Sequence, residues 1–425
     1  MLEIIKKNFL QFLFFLITTI TVIFIITVYC ELFYNFGNYA KNRITQNKEL
    51  IFIITPFCFW LSAFLCKKYA NGASGSNMIN IQKTLNQLKD NPDSYNKKIC
   101  KYLSFKVAII SIISSLIATF GGGSLGREGP SIQISASIFT WLGNKFKKYL
   151  NKISFENLVY SGSALGFAIA FSSPISAIIY IIEKLINIET KRFFRNLVFS
   201  LLTILVMSFF INEFTPIYKA NKINFEISKE FFIHIQLAVI CSIIGFALVR
   251  ISLFFYNKLF NINSKFWHLI PITIGIIVAS IALYGGVYSI GGGIKTVNDA
   301  LQNNNLLLSF ESVFGRILTT MLTFIAGCSG GLIAPAIAIG AGISSLFALL
   351  PTIINVKFLI ICGMSSFLSA VINMPFVSAF VIIESSKQSF TMYPYLLIMT
   401  LTSSYLVKFL IKTKSIICEK YLKRT

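Results

Sequence analysis

Apolar segments recur along the whole chain but do not all reach the length of a membrane span. They fall at 9–34, 50–66, 103–120, 131–143, 158–183, 193–212, 231–256, 267–290, 305–326, 331–350, 356–373, 375–384 and 392–411. A perpendicular crossing takes about 20 apolar helical residues. Several of these segments are shorter, or are interrupted by Gly and Pro. Irregular backbone at membrane depth is tolerated only when buried in protein or lining a cavity. The pattern therefore predicts an all-α polytopic membrane protein whose broken helices meet in its interior. The 425 residues read as a single transmembrane domain, 1–425, with no soluble domain after the last span.

Composition agrees. Hydrophobic residues make up 55% and charged residues 13%, against about 25% charged in soluble domains. A soluble enzyme is excluded on that ground. The net charge of +22 comes from 38 Lys+Arg against 16 Asp+Glu. A nucleic-acid binder gathers such charge into a patch or stripe. Here it is spread between apolar runs, as cationic loops of a membrane protein are, so no nucleic-acid partner is expected. The polar stretch 67–101 carries Lys67, Lys68, Lys83, Lys89, Lys97, Lys98 and Lys101. The positive-inside rule puts it in the cytoplasm. The stretch 35–49 then reads as an external loop, although it holds Lys41, Arg43 and Lys48. A second long polar loop is expected at 213–230. Lys6 and Lys7 precede the run Phe9–Val28, which exceeds a signal-peptide core and has no A-x-A site after it. It reads as a first membrane helix with a cytoplasmic N-terminus.

Eight cysteines are scattered without C-x-x-C spacing, and the two histidines, His234 and His268, lie far apart. No metal site, cofactor or catalytic residue is expected. Cysteines of this kind pack as small hydrophobes.

The chain repeats itself. Pro174 begins a run ending Ile181-Ile182-Glu183, and Pro375 begins one ending Ile382-Ile383-Glu384. Upstream of Pro174 lies Gly121-Gly122-Gly123-Ser124-Leu125-Gly126-Arg127-Glu128-Gly129-Pro130; upstream of Pro375 lies Gly327-Cys328-Ser329-Gly330-Gly331-Leu332-Ile333-Ala334-Pro335. Pro130 and Pro174 are 44 residues apart, Pro335 and Pro375 are 40. Gly72-Ala73-Ser74-Gly75 has a counterpart in Gly291-Gly292-Gly293. Interrupted segments at matching places in two halves point to a transporter binding site.

A helix starting inside the protein turns unsatisfied N–H groups and a partly positive dipole end inward. Several such ends converging make an anion site without a buried cation. Pro130 and Pro335 suit a first helical turn, and Ser74 adds a hydroxyl. The plainer alternative is that the glycines only allow close helix packing. Glu128 is the sharpest candidate, an ionisable group at a break in apolar sequence. Near helix N-termini a carboxylate occupies an anion site itself, and protonation releases it. Its plainer alternative is a surface pair with Arg127. For Glu183 and Glu384 the plainer alternative is a cap at a helix end.

At these residues the chain resembles the CLC family of chloride channels and chloride/proton antiporters, of the type without C-terminal CBS domains. Gly126-Arg127-Glu128-Gly129-Pro130 matches the family's G-R/K-E-G-P motif. Gly331-Leu332-Ile333-Ala334-Pro335 is similar to G-x-F-x-P, with Ile333 for Phe. Ala73-Ser74-Gly75-Ser76-Asn77 resembles G-S-G-I-P without its Ile and Pro. The resemblance implies a homodimer in the plasma (inner) membrane, termini in the cytoplasm. It implies inverted halves near 9–212 and 231–411, with the anion site at their interface. It implies that Ser74 Oγ and the N–H groups of Leu332 and Ile333 hold a central anion. It implies that the backbone around Arg127 and Gly129 lines an outer site and that Glu128 is the gating carboxylate. Ser74 and Pro130 favour chloride over the fluoride-exporting branch.

Two departures stand out. The resemblance implies an internal proton-transfer Glu one residue after Glu183, where this chain has Lys184. Its pore Tyr falls near Ile417, with Tyr421 a poor match by spacing. A lysine does not relay protons as a carboxylate does unless burial lowers its pKa far. The expected function is chloride transport, either as an antiporter with unusual coupling or as a passive channel. A membrane-embedded enzyme would need ligands or nucleophile–base pairs that the sequence does not offer.

Overall fold

Serine and asparagine set where several helices start, and they do so at matching places in the two halves. Ser104 and Ser309 each accept the amide three residues on, from Val107 and Ser312, both at 3.3 Å. Ser154 Oγ accepts from Asn157 N at 3.2 Å, and Asn355 Oδ1 from Phe358 N at 3.1 Å. These caps satisfy first-turn amides that have no partner within the helix. At the opposite ends Ser172 (φ 49°) and Asn373 (φ 53°) turn left-handed. Each is followed two residues later by a proline that opens the next helix, Pro174 or Pro375.

The computed structural model describes residues 2–90, 99, 101–150, 153–186, 189–211, 215–223, 230–260, 262, 265–302, 308–350 and 355–422. In the first half its helices are α1 (Leu2–Gln46), α2 (Ile51–Tyr69), α3 (Asn77–Asp90), α4 (Phe105–Phe120), α5 (Glu128–Lys145), α6 (Phe155–Phe171), α7 (Pro174–Leu185) and α8 (Thr190–Phe210). In the second they are α9 (Phe231–Phe260), α10 (Leu269–Gly285), α11 (Ile294–Gln302), α12 (Phe310–Ile325), α13 (Ile333–Phe347), α14 (Val356–Ile372), α15 (Pro375–Ser385) and α16 (Tyr393–Leu422). Each helix of the first set has a counterpart in the second. Two short strands, β1 (Gly75–Ser76) and β2 (Ser329–Gly330), pair in parallel across the halves.

Packing repeats as well. α5 lies on α6 as α13 lies on α14. Glycines let the backbones touch. A methyl on Gly166 would stand 2.4 Å from Ser131 O, and one on Gly340 2.4 Å from Gly363 O. α2 packs on its counterpart α10, and α7 on its counterpart α15. Between the two halves Gly126 N donates to Gly331 O at 2.8 Å, and Gly331 N to Gly126 O at 2.9 Å. This reciprocal antiparallel pair is a local two-fold. It sets the starts of α5 and α13 against each other with their chains running opposite ways, as inverted repeats require.

Six helical stretches are long and apolar enough to cross a membrane: Phe9–Gln46, Lys48–Tyr69, Thr190–Phe210, Phe231–Phe260, Phe266–Gly285 and Phe390–Thr413. These leave large apolar side chains such as Phe24, Phe209, Phe232 and Tyr405 on the outer surface. The shorter α6 is buried over its whole length. Long helices thus face the hydrocarbon, and short ones fill the interior, where irregular backbone is tolerated. The chain is a multi-pass membrane protein.

Two expectations need correction. The stretch 35–49 is not a loop, because α1 continues to Gln46 and buries Lys41 and Arg43. Arg43 Nη2 donates to Phe120 O at 2.8 Å, and its guanidinium stacks over Tyr39 and Phe120. Nor is 67–101 a loop throughout. Its residues Asn77–Asp90 form α3, which buries Ile81, Thr84, Leu85 and Leu88 at helical spacing. Lys97 and Lys98, and residues 213–214 and 224–229 of the second polar stretch, lie outside the described residues; 215–223 form neither helix nor strand.

Candidate functional site

The first component is the turn after α2. Ser74 Oγ lies 2.7 Å from Asn71 O and 2.6 Å from Tyr256 Oη, a hydroxyl from α9 in the other half. Asn80 Nδ2 holds the carbonyls of Gly72 (2.8 Å) and Ser74 (3.2 Å). Gly75, at φ +66°, turns the chain so that its amide reaches Cys328 O at 3.2 Å. Asn77 opens α3 where the resembled motif has Pro. Its Nδ2 donates to Gln133 Oε1 and to Ser329 Oγ (3.2 Å), tying three segments together.

The second component is the start of α5. Glu128 is its first residue and is 2% exposed, so it is no surface partner of Arg127. Its Oε2 is buried and has no hydrogen-bond partner among the described residues. A methyl on Gly126 would stand 2.2 Å from that oxygen, 3.0 Å from Ala334 Cβ and 3.2 Å from Ala334 N. The carboxylate and the first turn of α13 therefore crowd one point. A methyl on Gly129 would stand 2.7 Å from Gly331 Cα. Two helix N-termini face each other across bare glycine backbone, and their dipole ends favour a negative charge between them. The Arg127 side chain reaches α1, with Nη1 3.5 Å from Cys30 O.

The third component is the start of α13. Leu332 is its N-cap and Ile333 its first residue. Both line a cavity of about 140 Å³ together with Gly129, Gly331, Ser76, Gln82 and Lys184. Ser74 lies outside that lining, one residue before β1 in the chain. The structure thus brings Gly129, Leu332, Ile333 and Lys184 to one space, and places Ser74 beside it with its hydroxyl paired to Tyr256.

Glu183 and Lys184 diverge. Lys184 Nζ donates to Gln82 Oε1 at 2.5 Å. Glu183 Oε2 accepts from Val377 N at 2.9 Å, at the start of α15. Its counterpart does the reverse. Glu384 on α15 accepts from Ile175 N (3.1 Å), Ser176 N (2.8 Å) and Ser176 Oγ (2.6 Å), at the start of α7. Each glutamate caps the first turn of the other half's helix. The helix-cap alternative is therefore what the geometry shows for both, with the capped helix being the opposite one. Ile417 and Tyr421 belong to the end of α16, whose side chains from 414 onward lie outside the described residues.

Sequence reasoning missed Tyr256 and Gln82. Tyr256 is one aromatic among many in a 30-residue apolar helix, with no local motif, and lies 182 residues from Ser74. Gln82 sits in a stretch taken for a loop.

The family model described as voltage gated chloride channel matches residues 58–408. The H(+)/Cl(-) exchange transporter ClcA of Salmonella typhimurium is 24% identical over 396 residues, covering 88% of this chain and 80% of that protein. The ClcA of Salmonella arizonae is similar to the same extent. The fold is similar to that of a slow cyanobacterial Cl-/H+ antiporter, with a TM-score of 0.76 at 19% identity and 94% of each chain covered. It is also similar to a CLC-type fluoride/proton antiporter, with a TM-score of 0.75 at 16% identity, covering 93% of this chain and 94% of the other.

Proposed function

Because the chain belongs to the voltage gated chloride channel family, we propose that it carries chloride across a membrane through a pathway gated by Glu128. The observation that carries this reading is the Glu128 carboxylate, buried and with one oxygen unpartnered, at the point where α5 and α13 start. A charged carboxylate there takes the place of an anion. Protonation removes its charge and its attraction to the two helix ends, and the side chain leaves. An anion then takes the vacated position, and the proton departs with the carboxyl group. Backbone N–H groups of Leu332 and Ile333 hold the central anion, with the Ser74–Tyr256 hydroxyl pair at its flank. The backbone at Arg127 and Gly129 lines the outer position.

Exchange for protons is supported by the likeness to the Salmonella H(+)/Cl(-) exchange transporters. Its coupling is unusual, because Lys184 stands where a proton-relaying acid is expected and Glu183 is turned to the α15 amides. The second reading, a passive anion channel, is favoured by the same lysine. The functional unit is a homodimer in the bacterial inner membrane with cytoplasmic termini. The deciding experiment measures chloride and proton fluxes together in reconstituted vesicles. A chloride gradient that drives protons uphill supports exchange; chloride flux without proton movement makes the protein a channel. Glu128→Gln is expected to abolish proton movement, and coupling that survives it removes Glu128 as the gate.

A further inference from the structure

Gly291-Gly292-Gly293 is the counterpart of the Ser74 turn, yet the pathway above does not use it. In the fold it leads into α11, and Gly292 and Gly293 line a separate cavity of about 230 Å³. Three lysines line the same cavity, Lys41 from α1, Lys219 and Lys295, against one acid, Asp299. From these residues we infer a further anion site, built for a small divalent oxyanion of the sulfate or phosphate class.

Lys41 carries the argument. It is 8% exposed, yet its ammonium has no hydrogen-bond or ion-pair partner among the described residues. Gly291 makes room for it, since a methyl there would stand 3.4 Å from Lys41 Cε. The charges that act on it are Arg316, Lys295 and Asp299. Asp299 forms no ion pair among the described residues, and its Oδ2 accepts from Tyr288 Oη at 2.8 Å. Arg316 is 1% exposed and donates to neutral oxygens, the carbonyls of Ile290 (2.8 Å) and Gly291 (3.0 Å) and Thr296 Oγ1 (3.1 Å). Buried cations without an acid beside them are costly. An anion in the cavity offsets that cost and holds the Lys41 proton in place.

The lining selects a dianion. Its three ammoniums and one carboxylate leave two positive charges, which a halide does not neutralise. Liquid water takes about 30 Å³ per molecule, so the space admits a tetrahedral oxyanion with several waters. Four oxygens reach lysines on different walls at once; a halide, a single atom, does not. Asn298 Oδ1 accepts from Lys219 N at 2.9 Å, which holds Lys219 at the cavity and leaves the Asn298 Nδ2 group as a donor. Gly293 has no side chain to cap α11, whose dipole end adds to the pull on an anion.

Gly292 links this cavity to the gate. A methyl on it would stand 3.3 Å from Leu125 O, the residue before Gly126. With a cytoplasmic N-terminus, the end of α1 and the cavity beside it are external. A bound dianion there opposes arriving chloride over about 8 Å at physiological salt. That effect rests on the transport reading above; the site itself does not.

The test is calorimetric with a flux arm, using the full-length protein in a phospholipid-free detergent and sulfate as probe. One sulfate is expected to bind per chain. Lys41→Met should weaken it at least about tenfold, the scale of a buried charge-assisted contact. Lys219→Ala and Lys295→Ala, both at exposed positions, should each weaken it about two- to fivefold, and they keep the test readable if Lys41→Met does not fold. Sulfate outside chloride-loaded vesicles should raise the chloride KM a fewfold, and Lys41→Met should remove that rise. Sulfate binding that is unchanged in all three folded variants overturns the site. So does an absence of sulfate binding in a protein that still moves chloride. Chloride binding lost in Lys41→Met, with none seen for sulfate, makes the pocket a halide site and overturns the oxyanion assignment. Binding that appears only for added phosphatidylglycerol assigns it to a lipid headgroup and overturns the free ion. Lysine-dependent sulfate binding in a protein without chloride flux supports the site and overturns the transport reading alone.

Discussion

Gly126→Ala tests the gate by shape alone, without touching a charge. Gly126 does not have a positive φ, so alanine fits its backbone. The added methyl would stand 2.2 Å from Glu128 Oε2, well inside any tolerated contact, and 3.0–3.2 Å from Ala334 Cβ and N. The α13 backbone is fixed by the Gly126–Gly331 hydrogen bonds. The carboxylate is the end of a flexible side chain, so it is the group that moves, by about 1 Å or more. Overpacking of this kind costs about 1–3 kcal/mol. Applied to the occupied position of Glu128, that favours its departure by roughly 5- to 150-fold. The expected result is faster chloride efflux from vesicles, read with a chloride electrode, and fewer protons moved per chloride. The control is Gly126→Ala combined with Glu128→Ala. With no Oε2 to strike, only the 3.0–3.2 Å contacts with Ala334 remain, so the methyl should add much less to the effect of Glu128→Ala alone. A folded Gly126→Ala protein with unchanged flux and coupling would refute the placement of the carboxylate. So would an equal effect of the methyl in the Glu128→Ala background.

Removing the cross-half caps should be asymmetric. Glu384→Ala strips an acceptor from three donors and should cost about 2–4 kcal/mol, against about 1–2 for Glu183→Ala, which strips one; equal losses in denaturation midpoint would contradict the assigned geometry. Tyr256→Phe deletes the oxygen beside Ser74 while keeping its ring stacked on Phe260. It should raise the chloride KM a fewfold and lower stability by about 1 kcal/mol; an unchanged KM would place the pair off the anion path. Gly166→Ala and Gly340→Ala each drive a methyl to 2.4 Å from a carbonyl oxygen of the neighbouring helix. Each should destabilise by at least about 1–3 kcal/mol, and thermal unfolding at the unmodified midpoint would show that these helices do not meet there.

Much of the architecture was legible in order and spacing. Apolar segments, the prolines at 130, 174, 335 and 375, and the glycine-rich breaks are local signals. Each reports what its own backbone can do, and their recurrence exposed two halves. Glu128 stood out because an acid within apolar sequence is costly wherever it folds. The same locality explains the failures. Lys41 and Arg43 looked like loop residues because a count of charges does not show that an arginine can stack on Tyr39 and Phe120 within a helix. α3 was hidden because its buried face, Ile81, Thr84, Leu85 and Leu88, is interleaved with polar residues.

The sequence by itself determined where helices break, that they come as two matching sets, and which acid sits at a break. Only the tertiary structure decided which broken ends meet. Ser74 pairs with Tyr256, Glu183 with Val377, and Glu384 with Ile175 and Ser176, across separations of 182 to 209 residues. Lys184 turns to the cavity while its neighbour Glu183 turns to α15. The physical reason is the inversion between the halves. Helix propensity, caps and hydropathy act within a few residues of themselves. The partners of a buried charge are set by the axis through Gly126 and Gly331, which exists only once both halves have folded against each other.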